Sequence, residues 1–317
     1  MQIFTCPACG GATYLHNLAC GCGHAIEFDP DAQAMQSLDA PCGNRDAIGC
    51  NWRAESDGLC RSCAMTEVVP DLREDTNRPL WAETEAAKRW MLATLGRWGW
   101  FTASDPGDRP VFRLLSEKTA TGEAGVVMGH ANGVITINVS EARSAVLAER
   151  QEELGELYRT MLGHMRHETA HFLQLRLLSS PGFPEAFRKL FGDERADYGA
   201  ALKAHYADPK PAGDDHVTSY ATAHPHEDWA ETLAHLLHLV DLLDSAAAAR
   251  LQLPDGPPRG YDAYAETDTE TLLHFAVGMS IAVNHVNRAL DLPDLYPFVI
   301  RSGVRTKLAF AHRWLHG

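Results

Sequence analysis

The sequence predicts an α+β fold, in which a small cysteine-rich region precedes a domain with a small mixed sheet and a helical carboxy-terminal lobe. All eight cysteines lie before residue 64. Short β-type segments follow between residues 111 and 139, and the pattern after Glu149 has helical spacing. We therefore expect a region at residues 1–66, a linker at 67–79 and one domain at 80–317, which is long enough to bury a substantial core.

The eight cysteines form two blocks of four, and each block has the composition of a tetrahedral zinc site. The first block is Cys6, Cys9, Cys20 and Cys22, and the second is Cys42, Cys50, Cys60 and Cys63. Because the chain starts without the leader of a signal peptide, we expect a reducing cytoplasmic location and favour zinc over disulfides. The first block ends in Cys-x-Cys, so His16 or His24 is an alternative ligand there.

The charge balance bears on possible partners. The chain has 28 basic and 42 acidic residues, a net charge of −14, and the first 66 residues contain three arginines and no lysine. A net negative charge of this size repels phosphate. A structural or protein-docking role for the cysteine-rich zinc ribbons is therefore favoured over nucleic-acid binding. Polar residues such as His274 and Asn284 interrupt the apolar run at 272–289, which predicts a core helix and no membrane span.

The secondary structure of the larger domain is predicted from hydrophobic spacing. A helix is expected from Leu80 to Leu95, followed by three strands at Val111–Leu115, Gly125–Met128 and Val134–Val139. The last of these is the candidate edge strand for binding an extended peptide. Helices are then expected at Glu149–Leu178, Phe183–Leu190, Ala196–Tyr206, from Glu227 to about Leu243, at Glu270–Leu290 and up to Leu315.

The most informative motif is His-Glu-x-x-His at residues 167–171. Positions i and i+4 of a helix lie one above the other, so His167 and His171 present both imidazoles to one point, as a pair of zinc ligands would. Glu168 lies one step around the helix, where a general base could reach a zinc-activated water. His164 shares this face, and we expect it to serve in packing or in a contact with one of the metal-binding residues.

A second helix offers the third zinc ligand. Pro225 suits a first helical turn, after which Glu227 and Glu231 share one face. One carboxylate would complete a His₂Glu site with an open fourth position, and the other could orient a ligand imidazole. We rank Glu227 first as the ligand and Glu231 second, with His235 and His238 as rivals on the same face.

These motifs carry a family resemblance. The His-Glu-x-x-His helix followed by Glu227 and Glu231 resembles the gluzincin metallopeptidases, in which the first carboxylate binds zinc and the second supports a histidine. The spacing from Tyr220 to Glu227 is similar to that of anthrax lethal-factor-type protease domains, and it implies that Tyr220 stabilises the oxyanion. Nearly the whole chain resembles a bacterial family of zinc-binding metallopeptidases with an amino-terminal zinc ribbon. The segments that carry this likeness are 70–72, 129–138, 191–198 and 220–231.

The resemblance implies a zincin-like domain, because a small sheet, an active-site helix and a helical lobe follow in the zincin order. The predicted function is a peptidase with one catalytic and two structural Zn²⁺ ions, acting on a peptide or protein substrate, with Glu168 as general base. A protein partner could dock on the ribbons. The alternatives are a zinc amidase acting on a small or non-peptide amide, and a non-catalytic binding protein stabilised by zinc. An intact Glu168 and Tyr220 disfavour the last of these.

Overall fold

A computed structural model describes residues 1–55, 57–142, 160–295 and 299–316. Its internal contacts divide the chain into two units, Met1–Glu168 and Thr169–Gly317. The predicted boundaries at 66/67 and 79/80 remain predictions. A strand, β5, spans Thr66–Val68, and the first long helix starts at Asn77.

The cysteine-rich segment is built from two short hairpins and two short helices. Strands β1 (Phe4–Thr5) and β2 (Ala12–Thr13) pair antiparallel, as do β3 (Ile26–Asp29) and β4 (Ala34–Ser37). Helices α1 (Arg45–Ile48) and α2 (Arg61–Ala64) follow. The Phe28 ring lies 5.3 Å from Phe4 and 5.6 Å from Trp52, measured between ring centroids. This aromatic cluster is a small apolar core for a segment that is otherwise poor in apolar residues.

A four-stranded sheet and one long helix, α3 (Asn77–Gly96), make up much of the rest of the first unit. The strands are β5, β6 (Val111–Leu115), β9 (Gly129–Ala131) and β10 (Val134–Asn138), in the spatial order β5-β6-β10-β9. Strand β6 pairs parallel with both β5 and β10, whereas β9 pairs antiparallel with β10. A minor hairpin joins β7 (Lys118–Thr119) to β8 (Gly122–Glu123). Ile135 and Ile137 of β10 are fully buried, as their alternation predicts.

Two of the strand predictions are wrong. Residues 125–128 form no strand, because the extended segment begins at Gly129. The segment Val134–Val139 is not an edge: β10 lies between β6 and β9, and β9 is the outermost strand on that side among the described residues. The turn at Asn132 and Gly133 explains the difference. Both residues have positive φ, and the Gly133 N–H donates to His130 Nε2 at 3.1 Å, which closes a tight β9–β10 hairpin.

Helices dominate the described part of the second unit. They are α4 (Met161–Leu177), which crosses the division between the units, α5 (Phe183–Phe191), α6 (Tyr198–Ala207), α7 (Pro225–Ala248), α8 (Thr269–Ala289) and α9 (Ser302–His316). The beginning of the predicted helix from Glu149 lies outside the described residues. Phe183 packs against the rings of Trp229, Phe310 and Trp314 at centroid distances of 5.0 to 5.6 Å. Aromatic contacts therefore join α5, α7 and α9 into one core.

This element order confirms the α+β fold and is consistent with a zincin-like domain, because the sheet precedes helix α4 and helices follow it. Within the parts of the chain that the structure describes, every helix is too short or too polar to cross a lipid bilayer.

Candidate metal centre

Helix α4 carries the His-Glu-x-x-His motif. Met165, Ala170, Phe172 and Leu173 are buried along it, which anchors the helix by apolar contacts. His167 and His171 are one turn apart on the same helix, and both are only partly buried. The motif therefore lies on a packed helix while leaving both imidazoles accessible to a ligand.

Helix α7 begins as its sequence predicts. Pro225 occupies the first turn, and His224 caps the helix because its Nδ1 accepts the N–H of His226 at 3.1 Å. Glu227 and Asp228 lie in the first turn, where carboxylates complement the helix dipole. Glu227 is nevertheless almost fully buried, with 1% of its surface exposed. A buried carboxylate is stable only when a hydrogen-bond donor or a cation compensates its charge. The burial of Glu227 therefore indicates that it has such a partner.

The structure brings three of the predicted ligands together. One ligand atom each from His167, His171 and Glu227 lies within 4.8 Å of the others, and His171 Nε2 is 3.5 Å from Glu227 Oε2. Two imidazoles and one carboxylate are the donor set of a catalytic zinc site. These residues therefore fit a zinc ion. The group does not include the rivals His235 and His238, nor Glu231 or His164.

Tyr198 is a contributor that the motif analysis did not single out as a site residue. It is the first residue of α6, and its hydroxyl donates to Glu227 Oε1 at 2.7 Å. Asp197 caps this helix by accepting the N–H of Ala200, which fixes the helix start beside α7. One carboxylate oxygen of Glu227 thus faces Tyr198 while the other faces His171. In the sequence, Tyr198 was marked only by its position in segment 191–198, one of the segments that resemble the metallopeptidase family.

Glu168 is the candidate general base. Its side chain is buried, and among the described residues its Oε2 has no hydrogen-bond partner. A buried carboxylate oxygen without a donor is costly unless water or a ligand supplies one. This orphaned oxygen on the residue next to His167 is a second reason why the site fits a metal with a bound solvent molecule.

Tyr220 is the candidate oxyanion donor and begins a short 3₁₀ turn at Tyr220–Thr222 that precedes α7. Burial raises the pKa of its phenol, and the nearby charge of Glu227 and a hydrogen bond with Tyr198 raise it further. Tyr220 therefore stays protonated at neutral pH and lies within electrostatic reach of Glu227.

Glu231 and His164, which were predicted to support the ligands, have partners of their own. Glu231 Oε2 accepts from the Thr218 hydroxyl at 2.8 Å, and this carboxylate is not a member of the metal-ligand group. His164 Nε2 lies 2.9 Å from Glu141 Oε2, a fully buried carboxylate in the turn after β10. His164, which lies one helical turn before His167, thus pairs with a buried carboxylate, and its supporting role stays a prediction.

Both cysteine blocks assemble as the spacing predicts. The Sγ atoms of Cys6, Cys9, Cys20 and Cys22 lie within 4.8 Å of one another, and so do those of Cys42, Cys50, Cys60 and Cys63. None of the eight forms a disulfide. The second set is fully buried, whereas Cys9 and Cys22 of the first set are exposed.

The two histidine alternatives for the first set lie elsewhere. His24 Nε2 pairs with the Ser37 hydroxyl at 2.9 Å, and the His16 ring packs 5.8 Å from that of Trp90. Each set therefore offers four thiolates, the ligands of a closed structural zinc site.

The fold and the metal-ligand geometry together define the class of protein: a zincin-like domain with zinc-type ligands behind a zinc-ribbon region. The family model described as "putative zinc-binding metallo-peptidase" matches residues 77–314, and the chain belongs to this family. Uncharacterized proteins of Mycobacterium tuberculosis and Mycobacterium bovis are 38% identical over 336 residues, covering 98% of this chain and 94% of each relative. No solved structure matches the chain.

Proposed function

We propose that this chain is a gluzincin-type peptidase that hydrolyses a peptide bond. The observation that carries the proposal is the convergence of His167, His171 and Glu227, together with the orphaned carboxylate oxygen of Glu168. A purely structural site would bury four protein ligands, whereas the described residues bring three together here, as in a catalytic site with an open fourth position. We further propose that the two cysteine sets hold structural zinc ions and that their surface docks a protein partner.

His167, His171 and Glu227 would hold the zinc ion. When bound, zinc supplies a Lewis acid that polarises a carbonyl and lowers the pKa of water toward neutrality. Glu168 removes the proton from the attacking water and returns it to the departing amine. The orphaned Oε2 suits this task because no described hydrogen bond occupies it.

Tyr198 and Tyr220 each donate a hydrogen bond to a different negatively charged group. Tyr198 holds the Glu227 carboxylate through its 2.7 Å hydrogen bond. Tyr220, kept protonated by its raised pKa, donates a hydrogen bond to the oxyanion that develops on the substrate carbonyl. Each donor lowers the energy of a different negative charge.

The change Glu168→Gln tests this mechanism, because it keeps the shape of the side chain and removes the proton acceptor. We expect peptide hydrolysis to fall by at least ~10²-fold while zinc content stays unchanged. The assay is digestion of a broad peptide library followed by mass spectrometry, with elemental analysis of the same samples. The matched control is Glu185→Gln, which removes a carboxylate from an exposed position on α5.

Two results would contradict the proposal. Full activity of Glu168→Gln would exclude Glu168 as the base, and loss of zinc from that variant would mean that Glu168 is a ligand. Cleavage of small non-peptide amides without any peptide cleavage would instead favour an amidase that uses the same residues.

A further inference from the structure

Arg89 is a buried positive charge on helix α3. Its side chain is 1% exposed, and its Nε and Nη1 atoms have no hydrogen-bond partner within the described part of the chain. A buried guanidinium destabilises the fold unless hydrogen bonds or a negative charge compensate it. We therefore looked for an anion that the functional protein would place beside Arg89.

The nearby carboxylates are already matched by other cations. Glu85 lies one turn before Arg89 on the same face of α3, and Lys88 Nζ is 3.0 Å from each of its oxygens. Arg61, the buried cation of α2, is also paired, because two carboxylate oxygens lie 2.6 and 2.8 Å from its Nη2. These ion pairs balance themselves and leave the charge of Arg89 over.

The face of α3 that carries Arg89 packs against the second cysteine set. Glu85, one turn before Arg89, accepts the hydroxyl of Thr66, which follows the last cysteine of the set by three residues. Leu92, almost one turn after Arg89, lines a small cavity with Trp52, which follows the second cysteine by two residues. Arg89 lies between these two contacts and therefore beside the sulfur cluster.

The charge of Arg89 also acts on a sulfur atom of that set. The pKa of the Cys50 thiol is lowered from its ordinary value. Hydrogen bonds with Cys42, Cys60 and Cys63 and burial have the larger effects, and the positive charge of Arg89 contributes to the lowering. This contribution places the guanidinium within electrostatic reach of the cluster.

A zinc ion in the second set would create the missing negative charge. Four thiolates around one Zn²⁺ carry two net negative charges, and all four cysteines of this set are buried. Backbone N–H groups donate to Cys42 Sγ at 3.3 Å and to Cys60 Sγ at 3.4 Å, but they supply only partial charges. In the first set Cys9 and Cys22 are exposed, so water can stabilise that cluster. The buried set is the one that needs a buried cation.

We propose that Arg89 is the counter-charge of the second zinc site and a determinant of its zinc affinity. The inference rests on the proposal that this set holds zinc. Arg89 does not bind the metal but stabilises the ionised, metal-bound form of the sulfur ligands. Without zinc the thiols are neutral and Arg89 is left uncompensated, so the guanidinium favours the zinc-bound state over the empty one.

The experiment is a zinc competition between the full-length chain and a chelator of known affinity. Elemental analysis measures the zinc that the chain retains, and alkylation of the freed thiols, mapped by mass spectrometry, shows which cysteine set has lost it. Arg89→Met should weaken zinc binding by the second set at least about tenfold, whereas Arg89→Lys, which keeps the charge, should stay within about threefold of the wild type. Arg78→Met, at an exposed position on α3, is the matched control and should behave as the wild type does.

The comparison between Arg89→Lys and Arg89→Met separates charge from packing. If charge is required, Arg89→Met alone loses zinc from the second set or fails to fold with zinc present. The proposal is overturned if Arg89→Met binds zinc as well as Arg89→Lys does, or if both variants are equally impaired. Cys42→Ser tests occupancy separately: if its zinc content equals that of the wild type, the second set holds no zinc and the structural-zinc proposal itself fails.

Discussion

Replacing Tyr198 with Phe should weaken zinc binding at the His167 group by about 10- to 100-fold, the usual effect of removing a group that orients a metal ligand. The Tyr198 hydroxyl donates to the buried Glu227 carboxylate at 2.7 Å, which is a charge-assisted hydrogen bond. Such bonds contribute about 1.5–3 kcal/mol. Because each tenfold change in affinity corresponds to about 1.4 kcal/mol, the two estimates agree.

The assay is a zinc titration against a chelator of known affinity, performed on the wild type and Tyr198→Phe. Tyr206→Phe is the matched control, because Tyr206 lies on the same helix, α6, and its side chain is 64% exposed. The control should bind zinc as the wild type does. An affinity of Tyr198→Phe within about threefold of the wild type would refute the reasoning, since it would mean that Glu227 needs no donor on Oε1.

Two further predictions concern the ligands. The purified chain should contain three zinc ions. A His167→Ala, His171→Ala double variant should lose about one equivalent of zinc in elemental analysis, because the cysteine sites are independent of the histidine site. Any other loss would contradict the assignment of the zinc ligands. Glu227→Ala should empty the site at ordinary zinc concentrations, whereas Glu231→Ala should weaken affinity by about 10- to 100-fold at most. Zinc titrations of the two variants decide this, and greater damage from Glu231→Ala would move the ligand one turn along α7.

Much of the metal centre could be predicted because its geometry is local. The spacing of His167 and His171 sets both imidazoles on one helix face, whatever that helix packs against. Pro225 marks the first turn of α7 and so fixes which face carries Glu227. The spacing of the cysteines likewise predicted both groups of four, since cysteines that are close in the sequence, such as Cys6 and Cys9, lie on one short loop.

The sequence was less informative where distant segments meet. Strand β10 looked like an edge because its partner, β9, has only three residues, Gly129–Ala131, and too little pattern to predict. Tyr198 and Glu227 are 29 residues apart along the chain, and only the packing of α6 beside α7 brings them together. Hydrophobic periodicity predicts that such helices exist but does not predict which polar side chains will meet.

The two tyrosines near Glu227 form a chain of hydrogen bonds with a direction. Tyr198 has a single hydroxyl proton and donates it to Glu227, so the proton shared between the two phenols comes from Tyr220. If Tyr220 is the oxyanion donor that we propose, it must exchange its bond to Tyr198 for a bond to the substrate oxyanion when a peptide is cleaved. The exchange replaces a neutral acceptor by a charged one, and hydrogen bonds to charged groups are about twice as strong. The hydrogen bond that Tyr220 donates would thus strengthen as negative charge develops on the substrate oxygen. An interaction that is stronger in the transition state than in the bound substrate lowers the activation barrier, whereas an equally strong one would only improve substrate binding.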